Sequence, residues 1–224
     1  MAKVEAICVG RMQPTTFGIL GRTAIDKRPV TGRVRIDTSG VDGDEIANRE
    51  HHGAPDRAVS AFAREDYAFW ETELGRTFPA GSFGENLTTV GLDIQNARIG
   101  ERWRVGECVL EVTCTRTPCA PFAGFIGAPD WMERFTVHGV PGAMLRVIEP
   151  GTVAAGDEIE VIETRDHDIT VGYAFRAVTT RPELLPGVAV EPRAGGSLRT
   201  KLEGYVARAG APAPAAPDDP ARTT

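Results

Sequence analysis

The sequence has no apolar run long enough to cross a membrane, since a membrane-spanning helix needs about 20 consecutive apolar residues. Its N-terminal stretch, Met-Ala-Lys-Val-Glu-Ala-Ile, is too short and too charged for a secretion signal. These two absences predict a cytoplasmic protein without membrane association.

Long runs of like charge are also missing. The chain carries 31 acidic and 25 basic residues, and its formal net charge is −6. A protein that binds nucleic acid or an anionic membrane usually has a strong basic patch. We therefore expect no nucleic-acid partner, although a local basic pocket remains compatible with this charge.

The four cysteines, at positions 8, 108, 114 and 119, contain no Cys-x-x-Cys pair. A zinc site or a thioredoxin-like redox pair consequently has little support. Structural disulfides are rare in the cytoplasm. The sequence also lacks a His-Glu-x-x-His motif, a P-loop and a convincing dinucleotide-binding fingerprint.

The chain is rich in turn-forming residues, with 25 glycines and 16 prolines in 224 residues. Several short segments alternate between apolar and polar residues, which predicts β-strands. We predict a mainly β fold of the α+β class, with a few short helices. The predicted organisation is a β domain over residues 1–165, a small helical extension over residues 166–208 and a disordered Pro/Ala-rich tail over residues 209–224.

The segment Glu111–Phe122 contains the most informative cysteines. Cys114 shares the apolar face of an alternating strand, which predicts a core residue. Cys119 follows Pro118, which should end the strand, so its thiol is expected in a proline-punctuated loop. Arg116 lies three residues earlier, and a thiol that is exposed beside a cation ionises readily to a nucleophile or metal ligand. From position alone, a semi-buried structural cysteine is an equally good interpretation.

Basic residues occur in several Gly- or Pro-containing loops, where they could hold an anion such as phosphate. The loop Gly84–Thr89 offers an amide and two hydroxyls, but it could equally be a structural turn. His51 and His52 are adjacent on an extended segment, so at most one is expected to face a given site. The scattered basic set consists of Lys27, Arg28, Arg33, Arg35, Arg49, Arg57 and Arg116.

Five motifs in order resemble the MOSC family, which is named after the C-terminal domain of molybdenum cofactor sulfurase. The resemblance covers roughly residues 5–163. The motifs are His51-His52-Gly53-Ala54-Pro55-Asp56-Arg57, Phe83-Gly84-Glu85-Asn86-Leu87-Thr88-Thr89, Gly100-Glu101-Arg102-Trp103-Arg104-Val105-Gly106, Thr115-Arg116-Thr117-Pro118-Cys119 and Glu149-Pro150-Gly151-Thr152-Val153.

The resemblance implies a twisted β-barrel with a cleft for the molybdenum cofactor, a pterin dithiolene that carries a phosphate. It implies that Cys119 is the catalytic cysteine and ligates molybdenum. It also implies a reductase of N-hydroxylated or other N-oxygenated small molecules, supplied with electrons by a separate donor protein. The residues that it implies for cofactor binding are Lys27, Arg33, His52, Asn86, Thr88 and Arg116.

Two other functions stay open at this stage. The chain could be a non-catalytic carrier of the cofactor or of activated sulfur, with a persulfide on Cys119. It could also be a plain thiol protein without a cofactor. The physiological substrate and whether the chain forms a homodimer are left open by the sequence.

Overall fold

The computed structural model describes residues 1–47 and 54–209. Its main feature is a sheet of eight strands. These strands are β1 (Lys3–Gly10), β4 (Lys27–Pro29), β7 (Val59–Ala63), β8 (Leu87–Val90), β9 (Arg102–Val105), β10 (Cys108–Thr115), β11 (Ala143–Glu149) and β13 (Ile159–Glu163). Their order across the sheet is β13-β9-β10-β11-β7-β8-β1-β4, and β7 and β8 run parallel whereas the other pairs are antiparallel.

Two small sheets accompany the large one. One contains β5 (Val34–Asp37), β6 (Gly40–Val41) and β12 (Gly151–Val153), and the other is a ribbon of β2 (Gln13–Pro14) and β3 (Arg22–Thr23). The predicted α+β class is confirmed. Closure of the large sheet into a barrel is not established, although backbone bonds such as Ile159 N–H to Ala2 O, at 2.9 Å, connect its N-terminal strand to the start of β13.

Five α-helices and three 3-10 segments complete the described part of the chain. The helices are α1 (Tyr67–Leu74), α2 (Ala120–Ile126), α3 (Trp131–His138), α4 (Val171–Val178) and α5 (Gly196–Ala209). The 3-10 segments are Pro55–Arg57, Arg64–Asp66 and Pro182–Val190. No helix of the described residues is both long and apolar enough to cross a membrane.

Strand β8 and helix α2 are where the sequence prediction was wrong. Leu87–Val90 was expected within a Gly-rich loop, but it forms a strand in the interior of the sheet because β1 and β7 pair with it on either side. The loop predicted after Pro118 is instead helix α2. Pro121 lies at the start of this helix, where its missing N–H leaves no bond unmade.

An aromatic cluster joins helices α1, α2 and α3 and fixes where α2 begins. Phe83 lies within it, with its ring centroid 4.7 Å from that of Phe62 and 4.6 Å from that of Tyr67. Phe122 of α2 packs edge-to-face against Trp131 of α3 at 5.4 Å. Cys119, which precedes α2, packs partly against this cluster, so the position of its backbone depends on aromatic burial.

The C-terminal segment packs onto the sheet. Ala174, Leu185 and Leu198 belong to the same buried hydrophobic core as the strands. The side chain of Thr170 caps α4 by accepting a hydrogen bond from Tyr173 N–H at 3.1 Å. The division into domains at residue 165 stays a prediction, but residues on both sides of it share one core.

Buried carboxylates also connect the C-terminal segment to the sheet. Glu111 of β10 is almost fully buried and contacts Arg102 at 2.9 Å, Arg146 at 3.6 Å and Arg193 at 3.6 Å. Arg193 also pairs with Glu163 of β13 at 2.6 Å. All eight residues of β10 are buried, including those on its polar face.

Candidate functional site

A cleft with a volume of about 520 Å³ lies at the end of β10 that leads to Cys119. Its walls come from β10, the β2–β3 ribbon, the start of α2, and helix α5. The apolar part of the lining includes Ile25, Phe122 and Met144. The buried amide of Asn86 and the thiol of Cys119 also line it. The charged residues of the lining are Arg22, Lys27, Asp44, Glu45, Arg57, Arg116 and Lys201.

Cys119 is the half-buried member of the four cysteines, all of which are reduced. It has an extended backbone, with φ −139° and ψ 166°, and it occupies the cap position before α2. Its carbonyl accepts a hydrogen bond from Ala123 N–H at 2.9 Å. Cys119 is thus held by the first turn of a helix at the cleft wall.

Arg116 presents an unsatisfied hydrogen-bond donor in this cleft. Its Nη2 donates to the carbonyl oxygen of Phe83. Its Nη1 is buried and has no hydrogen-bond partner in the described part of the chain. Burial lowers the pKa of Arg116, and the charges of Glu85 and Cys119 oppose this shift. A buried donor without an acceptor is costly, so a bound anion would stabilise this arginine.

Lys27 reaches the cleft from β4, where its ammonium pairs with the carboxylate of Asp44. Burial lowers the pKa of Lys27, and Asp44 opposes the shift. Asp44 also accepts hydrogen bonds from Gly10 N–H at 2.7 Å and Asn86 Nδ2 at 2.9 Å. Asp44 therefore holds the lysine and two strand ends together at the base of the cleft.

Asn86 lines the cleft, but neighbouring residues occupy its side chain. Its Oδ1 accepts from Ser60 N–H at 3.2 Å and from Ser60 Oγ at 3.0 Å. Its Nδ2 donates to Cys8 O at 3.2 Å as well as to Asp44. In this arrangement, Asn86 positions β7 and the cleft base.

Two predicted cofactor residues are not brought to this cleft. Thr88 is fully buried and donates its hydroxyl to Glu85 Oε1 at 2.6 Å. Arg33 pairs with Asp157 at 3.1 Å and donates to Thr152 Oγ1 at 2.8 Å, and neither residue lines the cavity. His52 and its neighbour His51 lie outside the described residues.

Sequence reasoning did not select five charged residues that line the cleft, which are Arg22, Asp44, Glu45, Arg57 and Lys201. Arg57 belonged to the scattered basic set but had no feature to distinguish it. Asp44 lies in a turn-rich segment whose composition only predicted a turn. Lys201 lies on a helix about 80 residues beyond Cys119, and nothing local indicates that this helix reaches the cleft.

The other three cysteines are buried, unlike Cys119, and the prediction of Cys114 as a core residue is confirmed. Burial raises the pKa of the Cys8 thiol to about 12 and that of Cys108 to about 11. Burial also raises the pKa of Cys114. A thiolate nucleophile is therefore strongly disfavoured at these three positions near neutral pH.

This contrast predicts a single fast-reacting thiol. At pH 8 we expect Cys119 to react with a disulfide reagent first, because the raised pKa of Cys108 reduces its thiolate fraction by about 100-fold. The rate at which each thiol reacts is measured by following the chromophore that the reagent releases over time. The variant Cys119→Ser should lose the fast phase, whereas Cys108→Ser should retain it. A fast phase that survives in Cys119→Ser would contradict the assignment.

Comparisons with known proteins identify the family and the fold of the chain. A family model described as the MOSC domain matches residues 48–160, which is about half of the chain. The chain belongs to the MOSC domain family. MOSC domains are associated in general with binding of the molybdenum cofactor.

Curated relatives extend the likeness beyond the family model. An uncharacterized protein of Bacillus subtilis, YflK, is 36% identical over 154 residues, covering 69% of this chain and 70% of the relative. YiiM of Escherichia coli is 36% identical over 155 residues, covering 68% and 69%. A longer protein of Gibberella moniliformis named as a reductase is 32% identical over 158 residues, covering 69% of this chain but 28% of the relative.

The fold has a solved counterpart. The crystal structure of YiiM from Geobacillus stearothermophilus superimposes with a TM-score of 0.77, covering 92% of this chain and all of that chain, at 23% identity. The match extends well past residue 160, so it includes the C-terminal helices that form one wall of the cleft.

Proposed function

We propose that this protein binds the molybdenum cofactor through Cys119 and reduces N-hydroxylated or other N-oxygenated small molecules. The observation that carries the proposal is that a half-buried thiol and an arginine with an unsatisfied donor face one cleft. Family membership supports the cofactor class, and the fungal relative named as a reductase supports the reaction class.

The chemistry of the lining residues fits this cofactor. A thiolate is a soft ligand that suits molybdenum, and Cys119 supplies one such ligand. The described residues contain no group of three His, Cys, Asp or Glu side chains that could hold a metal ion. A metal at this cleft would therefore need to arrive with its own organic ligand, as a pterin dithiolene provides.

The two buried cations suit the phosphate of such a cofactor. Arg116 Nη1 has a free donor, and the Lys27 ammonium lies in the same cleft. Charge-assisted hydrogen bonds to phosphate are stronger than neutral ones. Asp44 and Asn86 would act indirectly, because their contacts fix Lys27 and the cleft base.

The apolar walls would bind the body of the substrate and exclude water from the reacting bond. When bound, the cofactor would supply a redox-active metal able to pass two electrons to an N–O bond. In the overall reaction that bond breaks, two electrons and two protons are consumed, and an amine and water leave. We propose that the electrons come from a separate donor protein.

The test is to express the protein in a host that makes the cofactor and to measure bound molybdenum and pterin. Reduction of an amidoxime is then followed with a chemical electron donor. We expect close to one molybdenum per chain and turnover of the amidoxime to the amidine. A purified protein without metal or pterin would refute the proposal, and bound cofactor without turnover would instead favour a carrier of cofactor or activated sulfur.

A further inference from the structure

Arg57 and Lys201 form a second cationic group in the cleft, distinct from Lys27 and Arg116. Arg57 ends the 3-10 segment Pro55–Arg57, and Lys201 lies on α5. Both line the same cavity. Neither residue is needed for the cofactor contacts proposed above.

Arg57 has an unsatisfied donor. Its Nε is buried and makes no hydrogen bond with residues 1–47 or 54–209. The nearest carboxylate oxygen, Asp56 Oδ1, is 3.8 Å away, which is too far for a hydrogen bond. The other oxygen, Asp56 Oδ2, accepts from Gly196 N–H at the start of α5.

Lys201 lies on the face of α5 that points to the cleft. Ser197 is one helical turn earlier and lines the cleft too. Lys201 forms no ion pair with any residue that the structure describes. Cys114 lines the same cleft as both residues. Asp56, the neighbour of Arg57, accepts the N–H of Gly196, so the helix that carries Lys201 begins beside the segment that ends at Arg57.

The cavity that holds these cations also has apolar walls. Cys114 lies in β10, and Arg116 follows the last residue of that strand. Apolar side chains of Met144, Val178 and Leu198 line the cleft as well. The cavity thus offers an apolar surface together with two sets of cations.

We propose that Arg57 and Lys201 bind an anionic group, a carboxylate or phosphate, carried by the substrate on an apolar body. The binding site stands on the unsatisfied Arg57 donor and on the lysine that lines the same cavity. Only the identity of this ligand as an N-oxygenated substrate rests on the proposed function. A neutral substrate of the same size would leave the buried donor unpaired, so it binds more weakly.

Binding is tested with small probes on the purified chain. Calorimetric titration with benzoate and phenyl phosphate, compared with neutral benzamide, measures the preference for an anion and separates carboxylate from phosphate. We expect Arg57→Gln and Lys201→Gln each to lower the affinity for the preferred anion by about 10-fold, since each removes a charge-assisted contact. Arg57→Lys should keep part of that affinity, and thermal melts confirm that the variants fold.

The matched control is Arg208→Gln, which removes a cation from the same helix at an exposed position. We expect this control to bind the anion as tightly as the unaltered chain. Equal affinity for benzoate, phenyl phosphate and benzamide would overturn the inference. So would an equal loss in Arg208→Gln, because the preference would then reflect net charge alone.

A kinetic comparison separates this inference from the proposed function. The cofactor-loaded protein is assayed with 4-carboxybenzamidoxime and with benzamidoxime, and we expect a kcat/KM ratio of at least about 10 in favour of the carboxylate. A ratio of one with normal turnover would refute the subsite alone. No turnover of either compound would refute the proposed function, while the titrations would still decide the subsite. Loss of bound molybdenum in Arg57→Gln would show that Arg57 holds the cofactor, and would refute the subsite.

Discussion

Replacing Cys119 by serine is expected to lower reductase turnover by roughly 100-fold or more while the pterin remains bound. A serine oxygen is a poor substitute for a soft thiolate ligand. The pterin should stay because Arg116 and Lys27 are unchanged and because one protein ligand contributes a minor part of the cofactor's attachment. A 100-fold loss corresponds to about 2.7 kcal/mol of transition-state stabilisation.

The measurement is turnover with an amidoxime together with pterin fluorescence and metal analysis on the same preparation. Cys108→Ser is the control, because it makes the same change at a buried position on β10 that does not line the cleft. Full activity in Cys119→Ser would exclude the thiol as a working ligand. Metal content that is the same in Cys119→Ser and in the unaltered protein, with no activity in either, would favour a plain thiol protein without a cofactor.

Replacing Glu111 by alanine is expected to destabilise the protein by about 3 kcal/mol, because three half-buried arginines lose the buried carboxylate that they share. Arg102, Arg146 and Arg193 would then share a site without their buried carboxylate. Thermal unfolding should shift down by about 10 °C, given roughly 2–4 °C per kcal/mol for a chain of this size.

The matched control is Glu149→Ala. Glu149 lies on β11 of the same sheet, but its side chain is 62% exposed and its contact with Arg104 is 4.0 Å long. An exposed pair of this kind contributes about 0–1 kcal/mol. If both variants melt at the same temperature, solvent stabilises the arginines around Glu111 well enough that the carboxylate adds nothing to the stability of the protein.

The same variant reports on the C-terminal segment. Arg193 connects Glu111 and Glu163 to the chain between α4 and α5. Limited proteolysis of Glu111→Ala should therefore cut faster near residue 193 than in the unaltered protein. Cleavage that is equally slow in both would show that the shared hydrophobic core alone holds this segment.

The sequence alone determined those features that depend on neighbouring residues. Alternation placed β1, β10 and β13 and separated Cys114 from Cys119, because side chains of a strand point to opposite faces in turn. The helix pattern after Arg64 correctly indicated α1, with Gly75 at its end. The α+β class and the family followed from these segments and from five ordered motifs.

The tertiary structure decided which residues share the cleft. Thr88 and Arg33 fit the local pattern of ligand-binding loops, yet pairing with Glu85 and Asp157 turns them to structural roles. Conversely, Arg57 and Lys201 line one cleft, and Asp56 accepts the first N–H of α5 in a contact across 140 positions. Such contacts depend on how distant segments pack, and no local pattern in the chain encodes them.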